Sequence, residues 1–227
     1  MNIKIITALP ALLESPFSHS IMQRAQDKGL LTIDLINLRS YGKGKHQQID
    51  DYQFGGGAGM VMSCEPLAQC IDDLQKDTEF DEIIYLTPDG ARYDQQTANT
   101  LSLSKNLLLI CGHYKGIDER IREKYVSKEI SIGDYVLSGG ELAAAVLVDS
   151  IGRLLPGVLN DGSSALMDSF QDNLLAPPVY TRPRNWQGME VPEVLLSGND
   201  AAVETWRYEQ SLERTKNRRP DILEDNA

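Results

Sequence analysis

The stretch SIGDYVLSGGE, Ser131 to Glu141, runs without a break into Leu142 to Ile151, LAAAVLVDSI, the most apolar helix-like segment of the chain. Upstream of it, Val126 to Ser131 has the make-up of a short strand, so the whole reads as strand, glycine-bearing loop, apolar helix. Gly133, Gly139 and Gly140 permit backbone conformations closed to other residues and let a ligand approach the main chain with no Cβ in the way. Taken alone, the segment is either a tight strand-to-helix turn or a loop that presents backbone to a ligand.

Two further strands end in the same manner. Ile83 to Leu86 stops at Thr87-Pro88-Asp89-Gly90, and Leu107 to Cys111 stops at Gly112-His113-Tyr114-Lys115-Gly116. Helical patterns precede or separate them, over Glu65 to Gln75 and from about Asp94. The chain opens as a β-α-β unit: a strand over Asn2 to Leu9, a helical stretch to Lys28 closed by Gly29, and an alternating strand over Leu31 to Ile36. Strands alternating with helices predict an α/β fold with a mainly parallel sheet covered on both faces. In such sheets ligands bind outside the carboxyl ends of the strands, where the three glycine loops would gather.

Ser40 to Met60, with Gly55-Gly56-Gly57-Ala58-Gly59, is too long for a mere link and reads either as a functional loop or as a surface excursion. The helix at Leu142 to Val148 is apolar around most of its circumference, which places it in a core or a subunit interface. Pro156-Gly157 ends it. From Asn160 to Pro183 periodicity is lost and Pro177-Pro178 appears, which divides the chain into a domain over 1–159, a linker over 160–183 and a small, mostly helical domain over 184–227. That last domain is expected to hold a helix from about Asp200 to Lys216 bearing Trp206, Tyr208 and Leu212.

Composition sets the outer bounds. The 227 residues are 41% hydrophobic and 24% charged, an ordinary globular balance. No apolar run reaches the roughly 20 residues of a membrane span, and the N-terminus meets Pro10 and Glu14 too soon for a signal peptide. Three cysteines, Cys64, Cys70 and Cys111, without paired spacing point to a reducing cytoplasm. Three histidines, His19, His46 and His113, supply no metal-ligand cluster of local spacing. A net charge of −11 argues against indiscriminate binding to a phosphate backbone such as that of DNA. Local basic groups remain: Arg39 to His46 with Lys43 and Lys45, Arg182 with Arg184, and Arg214, Lys216, Arg218 and Arg219. Each is also explained by a solvated charged face.

Beyond these patterns, the chain resembles the bacterial tRNA (guanine-N1)-methyltransferases of the knotted SPOUT class. The resemblance is carried by Asp50-Asp51 with Gly55 to Met60, CGHYKGIDER from Cys111 to Arg120, Ser131 to Leu142, Pro156 to Leu159, Asp168-Ser169-Phe170, Tyr180 to Pro183 and Val194 to Asn199, all in the family's order. It implies a trefoil knot in the N-terminal domain, which general topology rules would not suggest. It implies S-adenosylmethionine as methyl donor, held by Tyr85, Leu86, Thr87 and Pro88, by the loop with Gly112, His113, Tyr114 and Lys115, and by Ile132, Gly133, Tyr135, Leu137, Gly139 and Gly140. No G-x-G-x-x-G follows a strand, so a Rossmann-type methyltransferase is disfavoured.

The resemblance also implies roles in catalysis. The acceptor would be N1 of the guanine immediately 3′ of the anticodon, guanosine 37, in a tRNA anticodon stem-loop. N1 must lose its proton before it can attack; Asp168 is then the expected general base and Arg153 the cation at O6. In the absence of the resemblance, Asp168 reads equally as a turn or helix cap and Arg153 as a helix C-terminal cation. His46, Asp50 and Gly59 are expected guanine contacts. The family behaves as a homodimer with the active site at the interface, one subunit holding the donor and the other contributing Asp168. The resemblance implies magnesium as a possible support for methyl transfer, while Lys115, where many members carry glutamate, removes one metal-facing oxygen and sets magnesium dependence in question here. The rival readings are a SPOUT-type RNA-binding protein without turnover and an enzyme directed at rRNA.

Overall fold

The protein is described from a computed structural model covering residues 1–159 and 168–224. Two compact units emerge, Met1–Gly162 and Ser163–Ala227. In chain order the first contains β1 (Asn2–Thr7), α1 (Ala11–Phe17), α2 (Ser20–Asp27), β2 (Thr32–Asn37), β3 (Asp50–Tyr52), β4 (Met60–Met62), α3 (Cys64–Asp77), β5 (Glu82–Arg92), α4 (Gln95–Leu101), β6 (Asn106–Cys111), α5 (Glu119–Tyr125), β7 (Lys128–Ser131) and α6 (Glu141–Gly152).

Five of the strands make one sheet in the order β2-β1-β6-β5-β7, every pair parallel. The expected mainly parallel α/β sheet is thus present. Its three central strands bury both faces, because successive side chains point to opposite sides. Ile3 and Ile5 of β1, Ile84 and Leu86 of β5, and Leu107 and Leu109 of β6 meet Leu13, Met22, Leu101, Ala144, Leu147 and Ile151 from α1, α2, α4 and α6. Ile6, Ile83, Tyr85, Leu108 and Ile110 meet Leu67, Cys70, Ile71 and Ile121 from α3 and α5 on the other side.

Several local expectations are corrected. The helical stretch before Gly29 is two helices, broken at Ser18 and His19, with Ser20 forced to a φ of +54°. Ser40 to Met60 is not one open connection: β3 and β4 pair antiparallel within and at the end of it, Asp50 opposite Met62. Strand β5 does not stop at Leu86. Leu86 and Ala91 both register with Ile130, so residues 87–90 bulge out of the ladder before Ala91 and Arg92 rejoin it. Pro88 can donate no ladder bond, and Gly90 lies so near β7 that a Cβ would stand 2.5 Å from the Glu129 carbonyl carbon. Helix α5 was not anticipated from the sequence. Asp94 does begin α4, its carboxylate accepting the Thr97 N–H at 2.7 Å.

The second unit contains β8 (Asn185–Trp186) and β9 (Met189–Glu190), a two-stranded hairpin, followed by α7 (Asp200–Arg218) and α8 (Asp221–Glu224). Asn199 caps α7 by accepting the Ala202 N–H at 3.2 Å. Thr215, fully buried on α7, accepts the Leu175 N–H at 2.9 Å and donates to the Ser211 carbonyl at 2.7 Å. Residues 160–167 of the expected linker lie outside the described residues, as do 225–227.

Candidate active site

The carboxyl ends of β5, β6 and β7 enclose a cavity of about 300 Å³. Its first wall is the end of β5. Tyr85 is almost fully buried, and burial pushes its phenol above the ordinary range. Arg122 of α5 stacks over its ring, 5.5 Å from the centroid. The same guanidinium holds Asp89 at 2.8 Å and Glu129 at 2.6 and 2.7 Å, while Thr87 donates to Asp89. These two hydrogen bonds, from Thr87 and then Arg122, hold the Asp89 carboxyl below the usual carboxylate range. The bulge over 87–90 is therefore clamped to α5 and β7.

The second wall is the loop after β6. Gly112 lies against Tyr85: a Cβ there would stand 2.9 Å from the ring. Tyr114 has a φ of +60°, costly for a non-glycine residue, and the turn is held by the Gly116 N–H to the His113 carbonyl at 2.9 Å. Strand β4 braces it from outside, with Lys115 N–H to Met60 O, Met62 N–H to Gly116 O and Asp118 N–H to Met62 O, each 3.0 Å. The third wall runs from Ser131 to Gly140. It is tied to the second by the Gly140 N–H to the Gly112 carbonyl at 3.0 Å and by bridge pairing of His113 with Gly139.

Every residue assigned to the methyl donor from the sequence lines this one cavity: Tyr85 to Pro88 from β5, Gly112 to Lys115 from the β6 loop, and Ile132, Gly133, Tyr135, Leu137, Gly139 and Gly140 from the third wall. Gly116, Ser131 and Ala143 line it as well. The walls pack on one another through glycines, at Gly112 against Tyr85 and at Gly140 against Cys111; the cavity's size falls at the lower end of the range for small-molecule sites. The remaining assigned residues lie elsewhere. Asp50 sits half-buried in β3, and His46 is exposed in the turn closed by the Lys43–Gln48 bridge. Gly59 lies against the Lys115 stem, where a Cβ would stand 3.2 Å from Cγ. Arg153 caps the C-terminal end of α6, its N–H on the Asp149 carbonyl at 3.2 Å. Asp168 is half-buried in the second unit.

One part of the site was not assigned to a role beforehand. Glu141, 1% exposed at the first turn of α6, accepts from the Thr7 hydroxyl at 2.6 Å and lies 2.8 Å from His113 Nε2. Thr7 also takes the Leu9 N–H at 2.9 Å. Burial works to raise the Glu141 carboxyl, but the hydrogen bonds from His113 and Thr7 outweigh it and hold the group below its ordinary value. The available signal was positional: a carboxylate directly after Gly139-Gly140 at a helix start, and a threonine ending a parallel strand.

Among the described residues no group of three or more His, Cys, Asp or Glu is placed to hold a metal ion, and none of their helices is long and apolar enough to cross a membrane.

Comparison with known proteins places the chain. The family model described as "tRNA (Guanine-1)-methyltransferase TrmD" matches residues 1–225. A tRNA (guanine-N(1)-)-methyltransferase of Christiangramia forsetii is 62% identical over 225 residues, covering 99% of this chain and 100% of that protein. The proteins of the same name from Bacteroides fragilis and Cytophaga hutchinsonii are 60% and 59% identical, each over 99% of this chain and over 100% and 95% of their own lengths.

Proposed function

The chain belongs to the tRNA (guanine-1)-methyltransferase family, and on that premise we propose that it methylates N1 of guanosine 37, immediately 3′ of the anticodon, in tRNA, acting in the cytoplasm as a homodimer. The observation that carries the reading is family membership over the whole chain, joined to one cavity at the ends of three parallel strands.

The cavity fits S-adenosylmethionine. Tyr85 to Pro88, the loop over 112–116 and the wall from Ile132 to Gly140 would hold it through backbone groups, and glycines at 112, 139 and 140 let those walls pack closely against one another. When bound, the donor supplies an electrophilic methyl group that needs no further activation by the protein. The chain's own work concerns the acceptor. Asp168 would take the N1 proton and Arg153 would stabilise the charge that develops at O6, in a site shielded from water. His46, Asp50 and Gly59 would contact guanine bases, and the basic residues of the last domain, 184–227, would hold the anticodon stem. The described residues offer magnesium no ligand cluster, and Lys115 brings a cation to the cavity wall instead; no step here is assigned to a metal.

The length of α6 supports the dimer. Gly140, its N-cap, lines the cavity, and Arg153 caps its other end. Twelve helical residues span about 18 Å. Arg153 therefore stands at the far end of α6 from the cavity, and on this reading a two-fold partner would supply it along with Asp168. Leu142 and Val146, one turn apart on α6 and exposed, fit such an interface. The knot over the N-terminal domain, 1–159, follows from the same family reading, and the linker role of 160–183 from the loss of periodicity in that stretch of sequence.

Methyl transfer to tRNA transcripts that differ only at guanosine 37 tests the assignment. Transfer should require that guanine, and Asp168→Asn should lower the rate about 10²- to 10⁴-fold with donor binding retained. Equal transfer to a transcript lacking it would sink the position, and tRNA binding without any transfer would favour the non-catalytic reading.

A further inference from the structure

We propose that Arg122, a residue outside the cavity, is a positioning residue of the donor site: its guanidinium keeps two of the three cavity walls in place, and donor affinity depends on it. The inference rests on the donor assignment above and deepens it, since it names what holds that site in its binding shape.

The bulge in β5 is the part of the first wall with least support from the ladder. Leu86 and Ala91 both register with Ile130, so the four residues between them have no place in the pairing. Two of the four, Thr87 and Pro88, line the cavity. The side-chain fastening of the segment runs through Asp89, which accepts from the Thr87 hydroxyl and, at 2.8 Å, from Arg122 Nη2.

Arg122 is itself anchored from behind. It meets Glu129 of β7 through Nε at 2.7 Å and Nη2 at 2.6 Å, and Glu119, one turn back on α5, at 3.4 Å. Its side chain is 20% exposed, against 61% for Asp89. Helix α5, strand β7 and the bulge are thus joined at one group. A planar fork with five N–H donors can bridge two carboxylates and also lie over a ring, which an ammonium cannot do. The ring is Tyr85, its centroid 5.5 Å from the guanidinium carbon. Tyr85 in turn abuts the second wall, where Cβ atoms at Gly112 and Gly116 would stand 2.9 and 3.1 Å from its hydroxyl. The guanidinium therefore bears on the first wall through Asp89 and on the second through the Tyr85 ring.

Neither Arg122 nor Asp89 lines the cavity, so replacing either removes no donor contact. A site whose wall must be re-ordered before binding loses affinity by the fraction of time the wall is out of place. A hydrogen bond to a charged group is worth roughly ten- to a hundredfold in an equilibrium constant. Long-range charge cannot mimic the effect. Removing a cation favours a donor with net positive charge and removing an anion disfavours it, whereas a broken clamp weakens binding in both cases.

Calorimetric titration of the full-length protein with S-adenosylmethionine, joined to methyl transfer to tRNA at varied donor concentration, tests the proposal. Arg122→Met and Asp89→Asn should each raise the donor Kd and the donor KM about tenfold, with the rate at saturating donor little changed. The double variant should be no weaker than Arg122→Met alone, because both changes break one clamp. Arg122→Lys should restore part of the affinity. Lys128→Met, which breaks a 3.0 Å ion pair with Glu82 across the same two strands, should leave the donor Kd at the wild-type value. A merely structural role would lower the maximal rate with the folded fraction and leave the Kd of the remainder unchanged. A wild-type Kd in Asp89→Asn, or losses that add in the double variant, would overturn the proposal; should Arg122→Met fail to fold, Asp89→Asn alone decides. Absence of donor binding in the wild type would overturn the donor assignment and this inference with it, whereas wild-type binding that the variants leave intact would remove only the role of Arg122.

Discussion

Gly140→Ala offers the sharpest test of how the cavity is built, because the backbone alone predicts the opposite outcome. Gly140 has φ −79° and ψ −7°, right-handed helical values that alanine adopts freely. Replacing glycine at such a position ordinarily stabilises by about 0.4–1 kcal/mol through the unfolded chain. Here, however, the new Cβ would stand 2.8 Å from Cys111 Cα and 3.1 Å from Gly112 N. Both obstacles are main chain, at the end of a central strand, and neither can rotate away. Overpacking of this kind costs about 1–3 kcal/mol, and the Gly140 N–H to Gly112 carbonyl bond, 3.0 Å, is strained with it. The net expectation is a loss of about 1–2 kcal/mol, or a fall in melting temperature of roughly 2–8 °C for a unit of this size. Because the contact joins two walls of the cavity, donor affinity should fall as well. Calorimetric melting and donor titration of the variant measure both. A melting temperature equal to or above wild type would refute the contact argument.

Two further outcomes follow from the described contacts. Thr215→Val keeps the shape of a fully buried side chain but removes the acceptor of the Leu175 N–H, so the second unit should lose about 1–3 kcal/mol; both tryptophans, Trp186 and Trp206, lie in that unit, and an unchanged fluorescence midpoint would refute the loss. The Glu141 carboxyl is held below its ordinary value in the fold, so its contribution is present above the ordinary glutamate range of about 4.3 and is lost as pH falls through the lowered value. The stability gap between wild type and Glu141→Gln should therefore narrow on acidification below about pH 4.5, and a gap constant down to pH 3 would contradict the assignment of charge.

The sheet was legible because β5 and β6 carry near-continuous apolar runs that stop at glycine-bearing loops, a pattern that a doubly covered parallel strand imposes. The cavity's lining followed, since the ends of such strands must lie together. What escaped was structure held by non-local pairing. Strands β3 and β4 are three residues each, too short for an alternation to register, and they are recognisable only through their pairing with each other and the bonds of β4 to the loop at Lys115 and Gly116. The prolongation of β5 hides behind Pro88, a residue that ordinarily argues against a strand. Glu141 looked like one more polar residue of a loop. Its burial depends on Thr7, 134 positions away, and no local window contains both. The roles expected of Asp168 and Arg153 came from motif resemblance alone, since from the sequence each also fits an ordinary capping residue, and Arg153 does stand at the C-cap of α6.

The strand order also has a consequence for synthesis. Strand β1 pairs on one side with β2, thirty residues downstream at Asn2 and Thr32, and on the other with β6, where Asn2 meets Asn106. During translation the first edge can close early, while the second stays open until half the chain has been made. Over that interval a parallel edge flanked by Ile3, Ile5 and Ile6 is unpaired, and such edges recruit other chains. Lys4, partly exposed on that strand, is the kind of charge that discourages it, and a substitution there would be felt by the nascent chain on the ribosome more than by the finished fold.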